Sequence, residues 1–271
     1  SGVMSTTEAP LTQGWEPGLD PQDTITRRFL LQMAEANDAF AAAADAHRLR
    51  TPAFSAADHG VASGYFNAVT LLQPVGPTDT GVLDQIDSFV ADGTGPVDLW
   101  SLWPTPDLTD RGWHIQGHPP LLIRPPASLV GVPEAPQRDI RLVADLDGLA
   151  DWERVAIDGY PFPELADAPR GCLGHAPLLA DGRIQLRVGY EEGTPVSVGS
   201  LFTEADLATF VLGVTTPEAR GRGHWLAQAT ARIAASPGTW MAGVFSDMSR
   251  PIAEQIGFVP ITRFTLWTRH R

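Results

Sequence analysis

The stretch Val211-Leu-Gly-Val-Thr-Thr-Pro-Glu-Ala-Arg220-Gly-Arg-Gly-His-Trp-Leu226 decides how this chain is read. A β-forming run reaches Thr215. Glycines and arginines then alternate, and an apolar-periodic segment follows. The order expected is strand, turn, helix start. Amides at a helix start lack intrahelical partners and carry partial positive charge. Gly221 and Gly223 have no Cβ, so the main chain can approach a large anion. Arg220 and Arg222 add charges suited to phosphate oxygens. Together these features describe a diphosphate cradle. A dinucleotide fingerprint needs a third glycine where Leu226 stands, and a Walker-A loop needs a lysine. The bland alternative is a solvated Arg-Gly turn ahead of a core helix.

Outward from the cradle, a helix is expected over about 223–235, with Leu226, Ala229, Thr230 and Ile233 on one side. Strands are expected at 139–143, 183–190, 196–201, 208–214, 240–245 and 262–268. Further helices are expected at 149–160, ahead of Pro161, and at 251–255. The order β-α-β-β-β-α-β-α-β indicates a mixed sheet with helices on its faces. Upstream, eight prolines fall between Pro104 and Pro136. Proline fixes φ and removes a donor, so a central strand is not expected there. Residues 119–138 are read as the connector between two halves. The first half shows a helical pattern at 26–48, a strand at 67–72, a helix at 82–90 and a strand at 98–103. Residues 1–24 are polar and read as a flexible tail, with Ser1-Gly2-Val3 a remnant ahead of a natural start at Met4.

Val214 to Trp225 resembles the acyl-CoA-binding motif of the GNAT superfamily of N-acetyltransferases, Arg/Gln-x-x-Gly-x-Gly/Ala. The strand 240–245 followed by Pro-Ile-Ala-Glu-Gln-Ile-Gly-Phe258 resembles that family's final helix and its Gly-Phe ending. The resemblance covers about half the chain. The first half resembles the degenerate extra lobe of two-lobed bacterial members. The fold implied is α/β (α+β): a mixed, mostly antiparallel central sheet with helices on both faces. The division implied is a tail at 1–24, a degenerate lobe with its Pro-rich connector at 25–137, and an acyl-CoA-binding domain at 138–271.

The function this implies is transfer of an acetyl group from acetyl-CoA, as co-substrate, to a primary amine. The alternative is a non-catalytic acyl-CoA sensor or partner-binding module. Pantetheine would pair with Gly213, Val214 and Thr215 in a gap between diverging strands. An N–H near Val214 would stabilise the oxyanion. The diphosphate would lie on Arg220, Gly221, Arg222, Gly223, His224 and Trp225, and Ser246 would replace a common Asn contact. Trp225 departs from the family's Gly or Ala. The usual Tyr acid falls on Ala253, and the usual base positions fall near Thr209 and Met241. Tyr190, Asp247, Glu254 and His224 remain as substitutes for acid or base.

Composition limits the alternatives. Asp plus Glu number 32 against 19 cations, a net charge of −13. That balance disfavours nucleic acid and anionic membranes as partners. All the cations are arginine, so lysine-dependent mechanisms are out. One cysteine, Cys172, permits no intramolecular disulfide and fits a reducing, cytoplasmic setting. No signal peptide is visible. His114 and His118 are four apart, but Gly117 and Pro119-Pro120 argue against a helix there, so no metal site is expected. Trp100, Trp103 and Trp113 read as core. Glu191-Glu192 reads as a solvated strand end, or one facing a cationic acceptor. The acceptor expected is a small-molecule or peptide amine, and the chain a monomer or homodimer.

Overall fold

Thr24 starts the first helix: its Oγ1 accepts the N–H of Arg27 at 3.1 Å, and α1 runs Ile25–Ala43. The computed structural model describes residues 24–160 and 162–271. The expected tail, apart from Thr24, lies outside the described residues, as does Pro161.

After α1 come β1 (His47–Arg50), β2 (Phe54–Asp58), β3 (Asn67–Leu71), α2 (Thr80–Ala91), β4 (Val97–Ser101), β5 (Trp113–Gly117) and β6 (Pro120–Arg124). The second half contributes β7 (Asp139–Leu142), α3 (Leu146–Gly159), β8 (Ile184–Glu191), β9 (Thr194–Glu204) and β10 (Leu207–Thr215). It continues with α4 (His224–Ala235), β11 (Trp240–Val244), α5 (Arg250–Gln255), β12 (Val259–Arg263) and β13 (Thr265–Arg269). The strands form two mixed sheets, in the orders β1-β2-β3-β4-β13-β5 and β12-β6-β11-β10-β9-β8-β7. In each sheet one neighbouring pair is parallel, β3 with β4 and β10 with β11, and the other pairs are antiparallel. Helix α2 connects the first parallel pair and α4 the second, as a parallel crossover requires.

The halves exchange their last strands. β6 follows β5 in sequence yet lies between β11 and β12 in the second sheet. β13 follows β12 yet lies between β4 and β5 in the first. A cut at 137/138 therefore leaves each sheet holding one strand from the other half. Two expectations are corrected here. Residues 120–124 are not connector but a fully buried strand. Its prolines sit outside the ladder's needs: Pro120 opens the strand and Pro125-Pro126 follow it, while Leu121, Leu122 and Ile123 supply the buried run. The single final strand expected at 262–268 is two strands, broken at the fully buried Phe264 and sent to different sheets. The strands β1, β2 and β5 were not expected, and the helical reading to 48 ends at Ala43.

The two lobes also share core. Trp152 of α3 is fully buried, stacks on Phe40 of α1 with centroids 6.3 Å apart, and donates its indole N–H to Ser200 Oγ at 3.0 Å. Truncating such a residue to alanine costs about 3–5 kcal/mol. Trp113 is buried in the core of the first lobe, as expected.

Candidate functional site

β10 outruns its parallel partner. Leu207, Ala208 and Thr209 pair with Trp240, Met241 and Ala242, and from Phe210 onward that edge leaves β11. On its other edge β10 stays paired with β9 as far as Thr215, across a bulge between Val211 and Val214. Within the bulge Leu212 takes φ +43°, rare for a branched side chain. The bulge re-aims the Leu212 amide out of the ladder, and it donates to the Tyr65 hydroxyl at 3.2 Å. Val214 is back in register against Val198 and 6% exposed. The bulge thus takes the Leu212 amide, two residues before Val214, out of the ladder.

The Arg-Gly corner follows at the end of the same strand. Gly221 has φ +77° and Gly223 φ +80°. Among the described residues the amides of Gly221, Arg222 and Gly223 have no acceptor. Arg220 donates to the carbonyls of Thr215 (3.2 Å) and Gly159 (2.9 Å), which ties the corner to the C-terminus of α3. It has no carboxylate partner among the described residues. Arg222 is different: it pairs with Glu191 at 2.8 Å, and His224 Nε2 lies 2.6 Å from the same carboxylate. These bonds, His224 first and Arg222 second, hold the Glu191 carboxyl below its ordinary range. Glu191 thus reaches Arg222 and His224 of the corner while its side chain stays 37% exposed. Pro136 covers Gly223, where a Cβ would lie 2.6 Å from its Cγ.

On the α4 face, aromatic side chains fill the gap between the diverging strands. Trp225 meets Phe245 edge-on at 6.1 Å, and Phe210, Phe245 and Phe258 meet one another at 5.1–6.0 Å. A Cβ at Gly213 would sit 3.6 Å from the Trp225 Nε1. Leu129 and Val132 pack over this cluster. Arg232, 1% exposed, stacks its guanidinium 3.8 Å from the Phe210 centroid, and desolvation lowers its pKa to about 9.

Between the lobes a cavity of about 520 Å³ opens where the strands part. Thr209, Phe210 and Val211 of β10 line it from one side, and Val244, Phe245 and Ser246 from the other. The first lobe closes it with Tyr65, Asp98 and Trp100, and the chain end adds Thr268 and His270. Asp98 stands opposite Thr268 in the β4–β13 ladder and accepts its hydroxyl at 2.6 Å. Burial raises the Asp98 carboxyl to about 6 against the downward pull of Thr268 and His270. Burial likewise raises Tyr65, which stays a phenol. Tyr160 is raised too, by burial and then by the charge of Asp98.

Solved structures share this fold. A GCN5-related N-acetyltransferase from Kribbella flavida aligns over 87% of this chain and 95% of its own, at 18% identity and TM-score 0.58. A functionally unknown conserved protein from Staphylococcus epidermidis ATCC 12228 aligns over 84% and 95%, at 14% identity and TM-score 0.63. A tandem GNAT protein from the clavulanic acid biosynthesis pathway aligns over 79% and 77%, at 14% identity and TM-score 0.51. The chain has the GNAT fold. No family model matches the sequence, and no curated protein does.

Within the GNAT fold the residues singled out in the sequence divide into groups. Gly213, Thr215 and Arg220 to Trp225 lie along one strand end, turn and helix start, and Ser246 lines the cavity at the end of β11. Tyr190 is elsewhere: its hydroxyl donates to Asp151 at 2.6 Å under the Arg141 guanidinium, and burial with that carboxylate raises it to about 12. Glu254 is exposed and pairs with Arg250 one turn away, and Asp247 is exposed outside the cavity lining. His224 is buried with Nδ1 unpartnered, fixed by Glu191 away from the cavity. None of these substitutes for acid or base reaches the cavity. Asp98, Tyr65 and Tyr160 do, and sequence reasoning missed all three. The signal for Asp98 was a lone carboxylate inside the apolar run Val97-Asp-Leu-Trp.

Proposed function

We propose that this protein moves an acetyl group from acetyl-CoA to a primary amine held in the cavity between its lobes. One observation carries the reading: β10 leaves β11 above that cavity and ends in a corner whose amides have no acceptor. The edge of β10 at Gly213–Thr215, unpaired with β11 though Arg220 holds the Thr215 carbonyl, suits the amides of pantetheine, and the Gly221–Gly223 amides with Arg220 suit a diphosphate. The Leu212 amide, which donates to the Tyr65 hydroxyl, would serve a carbonyl oxygen that gains charge once Tyr65 gives it up. In the transfer a C–N bond forms and a C–S bond breaks. The amine loses a proton, for which Asp98 is the half-buried carboxylate on the lining, and the thiolate gains one, for which the Tyr65 hydroxyl is available. Trp225 must turn out of the gap for pantetheine to enter.

Titration calorimetry with acetyl-CoA tests the first half of this reading. The native protein is expected to bind in the micromolar range, and Arg220→Glu at least tenfold more weakly. No binding by the native protein ends the proposal. The packing of Trp225 on Phe245 across the gap favours a second reading, a non-catalytic module. A thiol-release assay over an amine panel decides between the two. Turnover with any acceptor removes the second reading, and acetyl-CoA binding without turnover removes the first.

A further inference from the structure

The cavity's chemistry is unusually one-sided. Among the described residues its lining contains two carboxylates, Asp98 and the exposed Glu164, one histidine, the exposed His270, and no arginine, in a chain whose only strong cations are arginines. Arg271 is nearby in sequence but is spent on Asp58, at 2.6 Å. Asp98 Oδ1 is taken by Thr268, while Oδ2 accepts no hydrogen bond from any described residue. Aromatic rings make up much of the wall, among them Phe29, Phe40, Trp100, Tyr65, Tyr160 and Phe162, beside the polar Asn37 and Gln116. Tyr65, Tyr160 and Phe162 pack as a cluster with centroids 4.6–5.8 Å apart, and Tyr65 carries that cluster to the Leu212 amide. A cavity of this size holds a small molecule rather than a protein segment. Ring faces attract a cation, and the attraction grows when water is excluded. An anion here would meet the Asp98 and Glu164 carboxylates, with only the exposed His270 ring on the lining to offset them.

We infer that this cavity binds a small arylalkyl monoamine as its ammonium ion, with Asp98 Oδ2 as the anchor and the aromatic wall holding the apolar body. Asp98 comes from the first lobe, and the exchanged strand β13 holds it in place through Thr268. The degenerate lobe therefore supplies the specificity of the pocket. The inference rests on the proposed transferase reading only for what happens to the amine after it binds. Binding itself needs no acetyl-CoA.

Calorimetry on the full chain without acetyl-CoA, using 2-phenylethylamine, phenylalanine and 2-phenylethanol, tests it. These probes share one ring and differ in charge. The amine is expected to bind at least tenfold more tightly than the other two. Asp98→Asn, which keeps the Thr268 contact, is expected to weaken the amine at least tenfold and leave 2-phenylethanol unchanged. Gly64→Ala is an independent check, because its Cβ would lie 2.5 Å from Asp98 Oδ1 and displace the carboxylate. Equal binding of amine and amino acid, or full binding by both variants, overturns the inference. Amine binding without acetyl-CoA binding keeps it and removes the transferase. Acetyl-CoA binding without amine binding does the reverse.

Discussion

The two lobes build the same corner twice and finish it differently. Each has a parallel strand pair joined by a helix, β3–α2–β4 in one and β10–α4–β11 in the other. In the first lobe Ala68, Val69 and Thr70 pair with Asp98, Leu99 and Trp100 within strands of five residues, so no long edge is left over. The turn before α2 is closed by Asp79, whose carboxylate accepts the Gly76 amide at 2.7 Å. In the second lobe β10 has nine residues and shares only its first third with β11, and the turn amides have no acceptor. A crossover becomes a socket when the strand outruns its partner and the turn's donors are left unspent. Topology alone does not do it.

The largest expected effect separates the two turns directly. Gly223→Ala forces a side chain into φ +80° with its Cβ 2.6 Å from Pro136 Cγ. Left-handed strain in a non-glycine residue costs about 1–3 kcal/mol, and the clash adds to it. A loss of roughly 3–4 kcal/mol in urea unfolding is expected, with at least thirtyfold weaker acetyl-CoA binding. Gly76→Ala has no positive φ, and its Cβ would meet Asp79 Oδ2 at 3.5 Å, an ordinary contact. Its cost is expected to stay below about 0.5 kcal/mol, as for most surface changes. Equal costs at the two glycines would mean that the corners are not different in kind.

The next effect comes from β4, the strand that corresponds to β11. Asp98 has a folded pKa of about 6 against 3.8, so the folded state holds its proton more tightly and stability falls as pH rises through that window. His59, buried with both ring nitrogens unpartnered and beside His175 at 5.5 Å, is lowered from 6.5 to about 4, chiefly by desolvation. Its contribution has the opposite sign: stability rises as pH climbs from 4 to 6.5. The two slopes offset each other in the native protein between pH 4 and 6. Asp98→Asn removes one of them. The variant is expected to be more stable by up to about 3 kcal/mol at pH 7.5, with the gain vanishing near pH 4. Thermal melts across pH check this. A variant no more stable than the native protein at pH 7.5 would show that Asp98 is not desolvated, and would blunt the contrast between a strand carrying a site charge and an all-apolar β11.

How much of this was legible follows from the range over which each feature is determined. The corner at 220–223 depends on neighbours in sequence, on glycine's conformational freedom and on a helix start, so it could be read directly. The apolar Ile184, Leu186 and Val188, spaced two apart, marked β8 for the same reason, although its observed burial is nearly continuous. Strand exchange could not be read, because Leu121-Leu-Ile and Thr265-Leu-Trp carry strand propensity but no address. Which sheet receives them is settled by contacts more than a hundred residues away. Prolines misled at 119–126 because they flank the strand rather than interrupt it. Tyr65 and Asp98 come from one lobe and Tyr160 from the other, so no local pattern unites them. Trp225 was visible as a departure, but its contact with Phe245 was not.

The smallest effect concerns the carboxylate each corner keeps. Asp79 is built into its own turn, whereas Glu191 reaches the second corner from β8 and holds Arg222 and His224. An exposed pair of this kind is worth little to folding. On the proposed reading its weight falls instead on the diphosphate of acetyl-CoA, which would compete with Glu191 for Arg222. Glu191→Gln is expected to tighten acetyl-CoA binding about threefold to tenfold at low salt, with the gain shrinking as screening increases. Asp79→Asn in the first lobe is expected to create no binding, because β3 leaves no free edge for the rest of the ligand. Calorimetry at two salt concentrations checks both variants. Weaker binding by Glu191→Gln would mean that Glu191 positions Arg222 for the diphosphate rather than masking it, and that the second corner is completed by its carboxylate, as the first is closed by Asp79.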